Sequence, residues 1–171
     1  AFHDLRTPTA AQTLRRAASL AEEYVRGLDL QQRRIEGTEP EDDDWFFRRI
    51  TDWKLMLHCM WGVKLAGKIA APLDSEVKGA LDTYDQSVPH LSIMRNVEQH
   101  IDEYAVDTFP RYKPQKRPNT KKPVGRRQLE AQMSWSADTF FWLGCEINFA
   151  PARAAAGELL RAIRAARDAA E

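Results

Sequence analysis

The chain has 171 residues, of which 43% are hydrophobic, and its 25 basic and 25 acidic residues give a formal net charge of zero. This length fits a single domain with a sizeable buried core, and five tryptophans and seven phenylalanines exclude a disordered chain. No run of 18 apolar residues and no signal-peptide pattern is present, so we expect a cytoplasmic protein that has no contact with a membrane.

Two long helices are predicted in the first part of the chain. Apolar residues recur at helical steps over residues 9–36, and Gly37 follows as a stop. Residues 38–44 contain a proline and then acidic residues, which predicts the start of a second helix reaching about Ala71. His58 lies off the apolar face of this helix and is predicted at the surface. Six apolar residues share that face and are predicted to be core: Phe46, Ile50, Trp53, Leu57, Met60 and Trp61.

Two shorter helices are predicted next. Pro72 interrupts the second helix, and the pattern restarts as a short helix over residues 73–84. Pro89 stands where a first-turn proline belongs, and an apolar stripe continues from there to about Val106.

The character of the chain changes after this fourth helix. Residues 110–127 are predicted to form a basic, proline-rich loop, and residues 128–147 a β-hairpin with its turn at 136–138. Pro151 opens the last predicted helix, whose buried side is formed by Leu159, Leu160, Ile163 and Ala166. The predicted fold is mainly α. It is one domain over residues 1–171, an up-and-down bundle of four to five helices with a small β-hairpin inserted before the last helix.

The neutral net charge hides one strongly basic segment. Residues 111–127 contain eight basic side chains and no acidic one, whereas the rest of the chain carries 17 basic against 25 acidic residues. Such a segment can bind the phosphate backbone of a nucleic acid. Alternatively, it is a soluble loop that balances an acidic body. The eight candidate nucleic-acid-binding residues are Arg111, Lys113, Lys116, Arg117, Lys121, Lys122, Arg126 and Arg127.

Common catalytic and cofactor motifs are absent from the sequence. It contains no glycine-rich phosphate loop and no GxSxG, HExxH or CxxC. Cys59 and Cys145 have no metal or redox spacing and fit a reduced compartment, and the four histidines are scattered. We therefore predict no metal and no other cofactor.

The stretch with the most specific pattern contains Arg95, Asn96 and His100 on the predicted fourth helix. Its Arg-Asn-x3-His spacing resembles the motif of the HEPN families, helical-bundle proteins whose nuclease members cleave RNA without a metal. The resemblance covers the motif, and the rest of the chain by architecture alone. It implies an endoribonuclease of a defence or toxin type, in which the ribose 2′-hydroxyl attacks the adjacent phosphorus. His100 would move the proton, Arg95 would bind the phosphate, and Asn96 would orient one of them.

Helix geometry bears on how these residues could meet. Five residues at about 100° each place Arg95 and His100 about 140° apart on one helix. Asn96, His100 and Glu103 follow at spacings of four and three on one side, so Glu103 is a candidate supporting residue. The resemblance implies a homodimer in which two copies of this helix form a composite site, and an antitoxin or regulatory protein as partner. Some HEPN toxins carry a modifiable tyrosine two residues after the histidine. Here that residue is Asp102, which argues against this kind of control.

The same side chains can instead have purely structural roles, without any catalysis. Arg95 can pair with Glu98 or Asp102, and His100 can hydrogen-bond to Asn96 or Glu103. The alternative function is a non-catalytic helical binding or regulatory protein that contacts nucleic acid or a protein partner through the basic loop.

Overall fold

The computed structural model describes residues 7–37, 43–100, 133–136 and 138–171. Within these ranges the chain forms five α-helices and a small antiparallel sheet that precedes the last helix. The predicted mainly α bundle with a small β element before the final helix is confirmed. None of the described helices combines the length and apolar character needed to cross a membrane.

The elements follow in chain order. The helices are α1 (Ala10–Glu36), α2 (Trp45–Ala70), α3 (Ser75–Ser87), α4 (Leu91–Gln99) and α5 (Phe149–Ala169), and a 3-10 turn (Ala71–Leu73) joins α2 to α3. The strands are β1 (Ser134–Trp135), β2 (Thr139–Trp142) and β3 (Cys145–Asn148), with β2 in the middle of the sheet. The long helices α1 and α2 pack along each other, and α5 packs on α1 and α3.

Helix α1 begins and ends as predicted. At its start Gln12 N–H donates to Thr9 Oγ1 at 3.2 Å, and Thr9 N–H donates to Gln12 Oε1 at 3.0 Å. In this capping box two backbone N–H groups at the helix start are each satisfied by the other residue's side-chain oxygen. At its end Gly37 N–H donates to the carbonyl oxygen of Arg33 at 2.9 Å.

The predicted core face of α2 is correct in its middle and wrong at its first turn. Trp53, Leu57 and Met60 are buried, whereas Ile50 and Trp61 are half-buried and Phe46 is 45% exposed. Phe46 packs at the surface against neighbouring aromatic rings instead of entering the core. His58 is exposed as predicted, and its ring meets Tyr24 edge-on at a centroid distance of 5.6 Å.

The predicted strand over residues 139–147 is in fact two strands. They are joined by Leu143 and Gly144, which have φ angles of 58° and 73°. Two successive left-handed residues are typical of the tightest hairpin turns, where leucine is uncommon. Leu143 is fully buried, so packing favours a side chain that turn chemistry alone would not choose. Of the predicted first strand, Ser134–Trp135 is present, and residues 128–132 lie outside the described ranges.

Helix α5 begins two residues earlier than predicted. Asn148 is its N-cap, and its Oδ1 accepts a hydrogen bond from Ala150 N–H at 3.1 Å. Pro151 therefore lies inside the first turn, where a missing N–H costs no helical hydrogen bond. The predicted buried side is confirmed, since these four residues are at most 8% exposed: Leu159, Leu160, Ile163 and Ala166.

Gly67 lies on α2 where two other helices approach closely. A Cβ atom there would lie 2.8 Å from Leu81 Cδ1 and 2.9 Å from Leu159 Cδ2. We expect Gly67→Ala to lower the free energy of unfolding by about 1–3 kcal/mol, because the core would be overpacked. Urea denaturation followed by circular dichroism measures this.

Gly79 on α3 is the matched control, because its Cβ would meet nothing within 4 Å. We expect Gly79→Ala to raise stability by up to about 1 kcal/mol through helix propensity. Equal effects of the two substitutions would contradict the close approach.

Candidate functional site

Helix α4 presents the motif residues on its outer side. Leu91, Met94 and Val97 are fully buried against the bundle at spacings of three residues. This burial fixes the rotation of the helix, because residues three and four apart share a face. Arg95 and Asn96 are consequently half-buried at the edge of the core.

The Arg95 guanidinium is held by two neighbours. Its Cζ lies 5.0 Å from the centre of the Trp61 ring on α2, which is within the range of a cation–π interaction. Its Nη1 donates to Asn96 Oδ1 at 3.3 Å. Its Nε is buried and has no hydrogen-bond partner among the described residues. In that same part of the chain no ion pair joins Arg95 to Glu98, one of the structural roles open from the sequence. The guanidinium is thus oriented by an aromatic ring and an amide, and its charge is not neutralised there.

His100 lies at the end of α4 and not inside it. Its backbone N–H donates to the carbonyl oxygen of Asn96 at 3.2 Å, but its φ of −118° and ψ of 30° leave the helical path. The prediction that the helix continues through His100 is therefore wrong at this residue, and the remainder of that prediction, residues 101–106, lies outside the described ranges. His100 is exposed to solvent.

The other predicted site residues lie outside the described ranges. These are Glu103 and the eight basic residues Arg111, Lys113, Lys116, Arg117, Lys121, Lys122, Arg126 and Arg127. Of the predicted catalytic set, the structure brings Arg95 and Asn96 into direct contact and joins Asn96 to His100 through the backbone.

Trp61 and two lysines were not predicted as part of the site. The Nζ atoms of Lys64 and Lys68 lie 5.9 Å and 5.7 Å from the centre of the Trp61 ring, beside the Arg95 guanidinium. The sequence predicts Trp61 as a core residue because it lies on the apolar face of α2, although at the border of that face. The spacing of Trp61, Lys64 and Lys68 at three and four residues could have indicated that the ring and the two lysines are neighbours.

A second surface feature is an exposed aromatic cluster, which we define as Trp45, Phe46, Phe47 and Trp135. Trp45, Phe46 and Phe47 are 50%, 45% and 68% exposed, although each carries a large apolar ring. Trp135 on β1 closes the cluster, with ring centres 6.4 Å from Trp45 and 5.6 Å from Phe46. Contiguous exposed apolar side chains of this size are typical of interaction surfaces.

Two further groups of side chains bear on the chemistry available. Within the described ranges no group of three His, Cys, Asp or Glu residues is placed to hold a metal ion. Neither cysteine is in a disulfide, and burial raises the pKa of Cys59, with the nearby Glu23 carboxylate adding to the effect. A raised pKa lowers the thiolate fraction at neutral pH, so Cys59 has the character of a structural residue and not of a nucleophile.

No family model, no curated protein and no solved structure matches this chain.

Proposed function

We propose that the chain is a HEPN-like, metal-independent endoribonuclease that acts on RNA as a homodimer in the cytoplasm. The observation that supports this best is the state of Arg95. Its guanidinium is oriented by Trp61 and Asn96 and is paired with no carboxylate among the described residues, and an exposed histidine follows five residues later. An oriented guanidinium with spare donors is suited to a phosphodiester, which accepts hydrogen bonds in a fork geometry.

The proposed reaction is a transesterification that expels the downstream fragment of the RNA. The ribose 2′-oxygen attacks phosphorus and gives up its proton, the bond from phosphorus to the 5′-oxygen breaks, and a proton is delivered to that oxygen. The products are a 2′,3′-cyclic phosphate and a 5′-hydroxyl. An imidazole with a pKa near neutrality can serve in both proton transfers, and we assign this role to His100. Arg95 stabilises the charge that develops on the phosphate oxygens, and Asn96 orients the guanidinium.

The homodimer is proposed because one chain presents the two groups in different settings. Arg95 is turned against Trp61 at the edge of the core, whereas His100 stands exposed at the helix end. Two copies of α4 related by a two-fold axis would place Arg95 of one chain opposite His100 of the other. Glu103 would support His100, and the basic segment of residues 111–127 would guide RNA to this cleft. The defence or toxin role, and any antitoxin partner, belong to the same proposal.

The test is incubation of the purified protein with mixed RNA in the presence of EDTA. We expect the wild type to produce fragments with 2′,3′-cyclic phosphate ends, and His100→Ala and Arg95→Ala to produce about 10²–10⁴ times fewer per unit time. Circular dichroism spectra of the three proteins should superimpose. No cleavage by the wild type, or equal cleavage by all three proteins, would contradict the proposal.

The exposed aromatic cluster favours one alternative function, a non-catalytic helical protein that binds nucleic acid or a protein partner. Three large rings at 45–68% exposure provide a surface of the kind that such binding uses. The basic segment would then contribute the charge contacts. Replacing its lysines and arginines by glutamate is expected to abolish nucleic-acid binding and the dependence of that binding on salt. If nucleic-acid binding is unchanged by this charge reversal, the basic segment does not bind nucleic acid and this form of the alternative is wrong.

A further inference from the structure

Three positive charges surround the half-buried ring of Trp61. Lys64 and Lys68 follow Trp61 on α2, and Arg95 reaches the ring from α4. The distances from the ring centre are 5.9 Å for Lys64 Nζ, 5.7 Å for Lys68 Nζ and 5.0 Å for Arg95 Cζ. A ring can attract a cation at each of these distances, so the indole holds together three groups that repel one another.

The negative charge nearby is smaller than the positive charge. Lys64 Nζ lies 2.8 Å from Asp85 Oδ1, and the Lys64 side chain is only 12% exposed. Among the described residues neither Lys68 nor Arg95 forms an ion pair with a carboxylate. Lys68 is exposed, while Arg95 Nε is buried without a hydrogen-bond partner in the described part of the chain. Among the described residues the cluster therefore carries more positive than negative charge.

We propose that Lys64, Lys68 and Arg95 form a phosphate-binding site around Trp61, which holds the backbone of the RNA strand beside the reacting position. The identity of the ligand as RNA rests on the proposed ribonuclease function. Arg95 supplies a fixed positive charge and its remaining guanidinium N–H groups for the phosphate oxygens, and Lys68 supplies a point charge at the surface. Lys64 is fixed by Asp85 and by burial, and it contributes mainly to the local positive potential. Trp61 is a positioning residue that keeps the three cations on one side of α2 and α4.

The test measures RNA binding apart from cleavage. The His100→Ala protein is titrated into a fluorescently labelled single-stranded RNA of about 12 nucleotides, followed by anisotropy at several salt concentrations. Adding Lys68→Glu is expected to raise the Kd about tenfold and to reduce the slope of log K against log salt by about one. The matched control is Lys78→Glu, the same change of charge at an exposed position on α3, away from the Trp61 ring. Its effect on Kd should stay within about twofold, reflecting net charge alone.

The role of Trp61 is tested by the NMR signals of the Arg95 side chain. A guanidinium above an indole has ring-current-shifted side-chain resonances, so Trp61→Leu should move the Arg95 Nε–H signal while Trp61→Tyr keeps part of the shift. Equal weakening of binding by Lys68→Glu and Lys78→Glu would overturn the phosphate site, as would an Arg95 signal that does not respond to Trp61→Leu. A glutamate oligopeptide that displaces the RNA more strongly than inorganic tripolyphosphate would overturn it too, because the site would then prefer a protein ligand.

These results separate the two proposals. If the wild type cleaves RNA but Lys68→Glu binds it normally, the phosphate site is wrong and the ribonuclease stands. If binding depends on Lys68 but no cleavage is detected, the phosphate site stands and the ribonuclease is wrong.

Discussion

A mixture of the Arg95→Ala and His100→Ala proteins is expected to cleave RNA, although each protein alone is expected to be inactive. In a composite site each centre takes its arginine from one chain and its histidine from the other. A dimer of the two variants then has one centre lacking both groups and one centre with both intact. With equal amounts and free exchange, half of the dimers are mixed and half of their centres are active, so about a quarter of the wild-type rate should return. Mixing equal amounts of the two purified variants measures this quarter. The mixed dimer, isolated after co-expression of the two differently tagged chains, should reach about half of the wild-type rate, because one of its two centres is intact.

The control for this experiment is a dimer of His100→Ala with the double variant Arg95→Ala/His100→Ala. It has the same composition of tags and nearly the same surface, but neither centre has a histidine, so it should remain inactive. A mixed dimer of the two single variants that stays inactive would contradict the composite site. Restored activity, in contrast, could not arise from a centre built within one chain, since each chain lacks an essential group.

The bundle was predictable because its signals are local and repeated. Over residues 9–36 the apolar spacing and the stop at Gly37 predict one helix, and the structure forms it over Ala10–Glu36. The same pattern placed Trp53 and Leu57 in the core. Such predictions depend only on the period of the helix and on the residue types that begin and end it.

Other predictions failed where tertiary packing decides. The period of α2 could not show that the Phe46 ring stays at the surface, where it is 45% exposed and packs against other aromatic rings. Nor could turn propensities locate the tight turn at Leu143, because leucine rarely adopts a positive φ and is held there by complete burial. Burial by distant parts of the chain is invisible to a local pattern.

The candidate site shows the same division. The spacing of Arg95, Asn96 and His100 singled out the motif, and α4 indeed places Arg95 and Asn96 in contact. Arg95 and Trp61 lie on different helices and are more than thirty residues apart in the chain, so no spacing rule could predict their contact. The electrostatic environment of the motif is consequently a property of the bundle, and the motif alone does not determine it.

Trp53 is the residue whose loss is expected to destabilise the fold most. Its ring lies on that of Phe140 in β2, with centres 5.1 Å apart and planes inclined by 12°, and the two residues are 2% and 0% exposed. This stack joins α2 to the sheet that precedes α5. Removing the indole would leave a large cavity and an unsupported Phe140 ring, so we expect Trp53→Ala to lower the free energy of unfolding by about 3–5 kcal/mol. Chemical denaturation should be followed by far-ultraviolet circular dichroism, because the substitution also changes tryptophan fluorescence.

Trp53→Phe is the matched control, and it distinguishes stacking from simple volume. A phenyl ring keeps a face against Phe140. The substitution also removes the indole Nε1–H. In the wild type this group is buried without a hydrogen-bond partner among the described residues, so its burial costs desolvation energy. The smaller ring leaves a modest cavity that offsets this gain, so we expect Trp53→Phe to remain within about 1.5 kcal/mol of the wild type. If Trp53→Phe is as damaging as Trp53→Ala, the stack with Phe140 is not what stabilises this junction. In that case the full volume of the indole would stabilise the junction. The sheet would then be held to α2 by close packing, with no preference for an aromatic face.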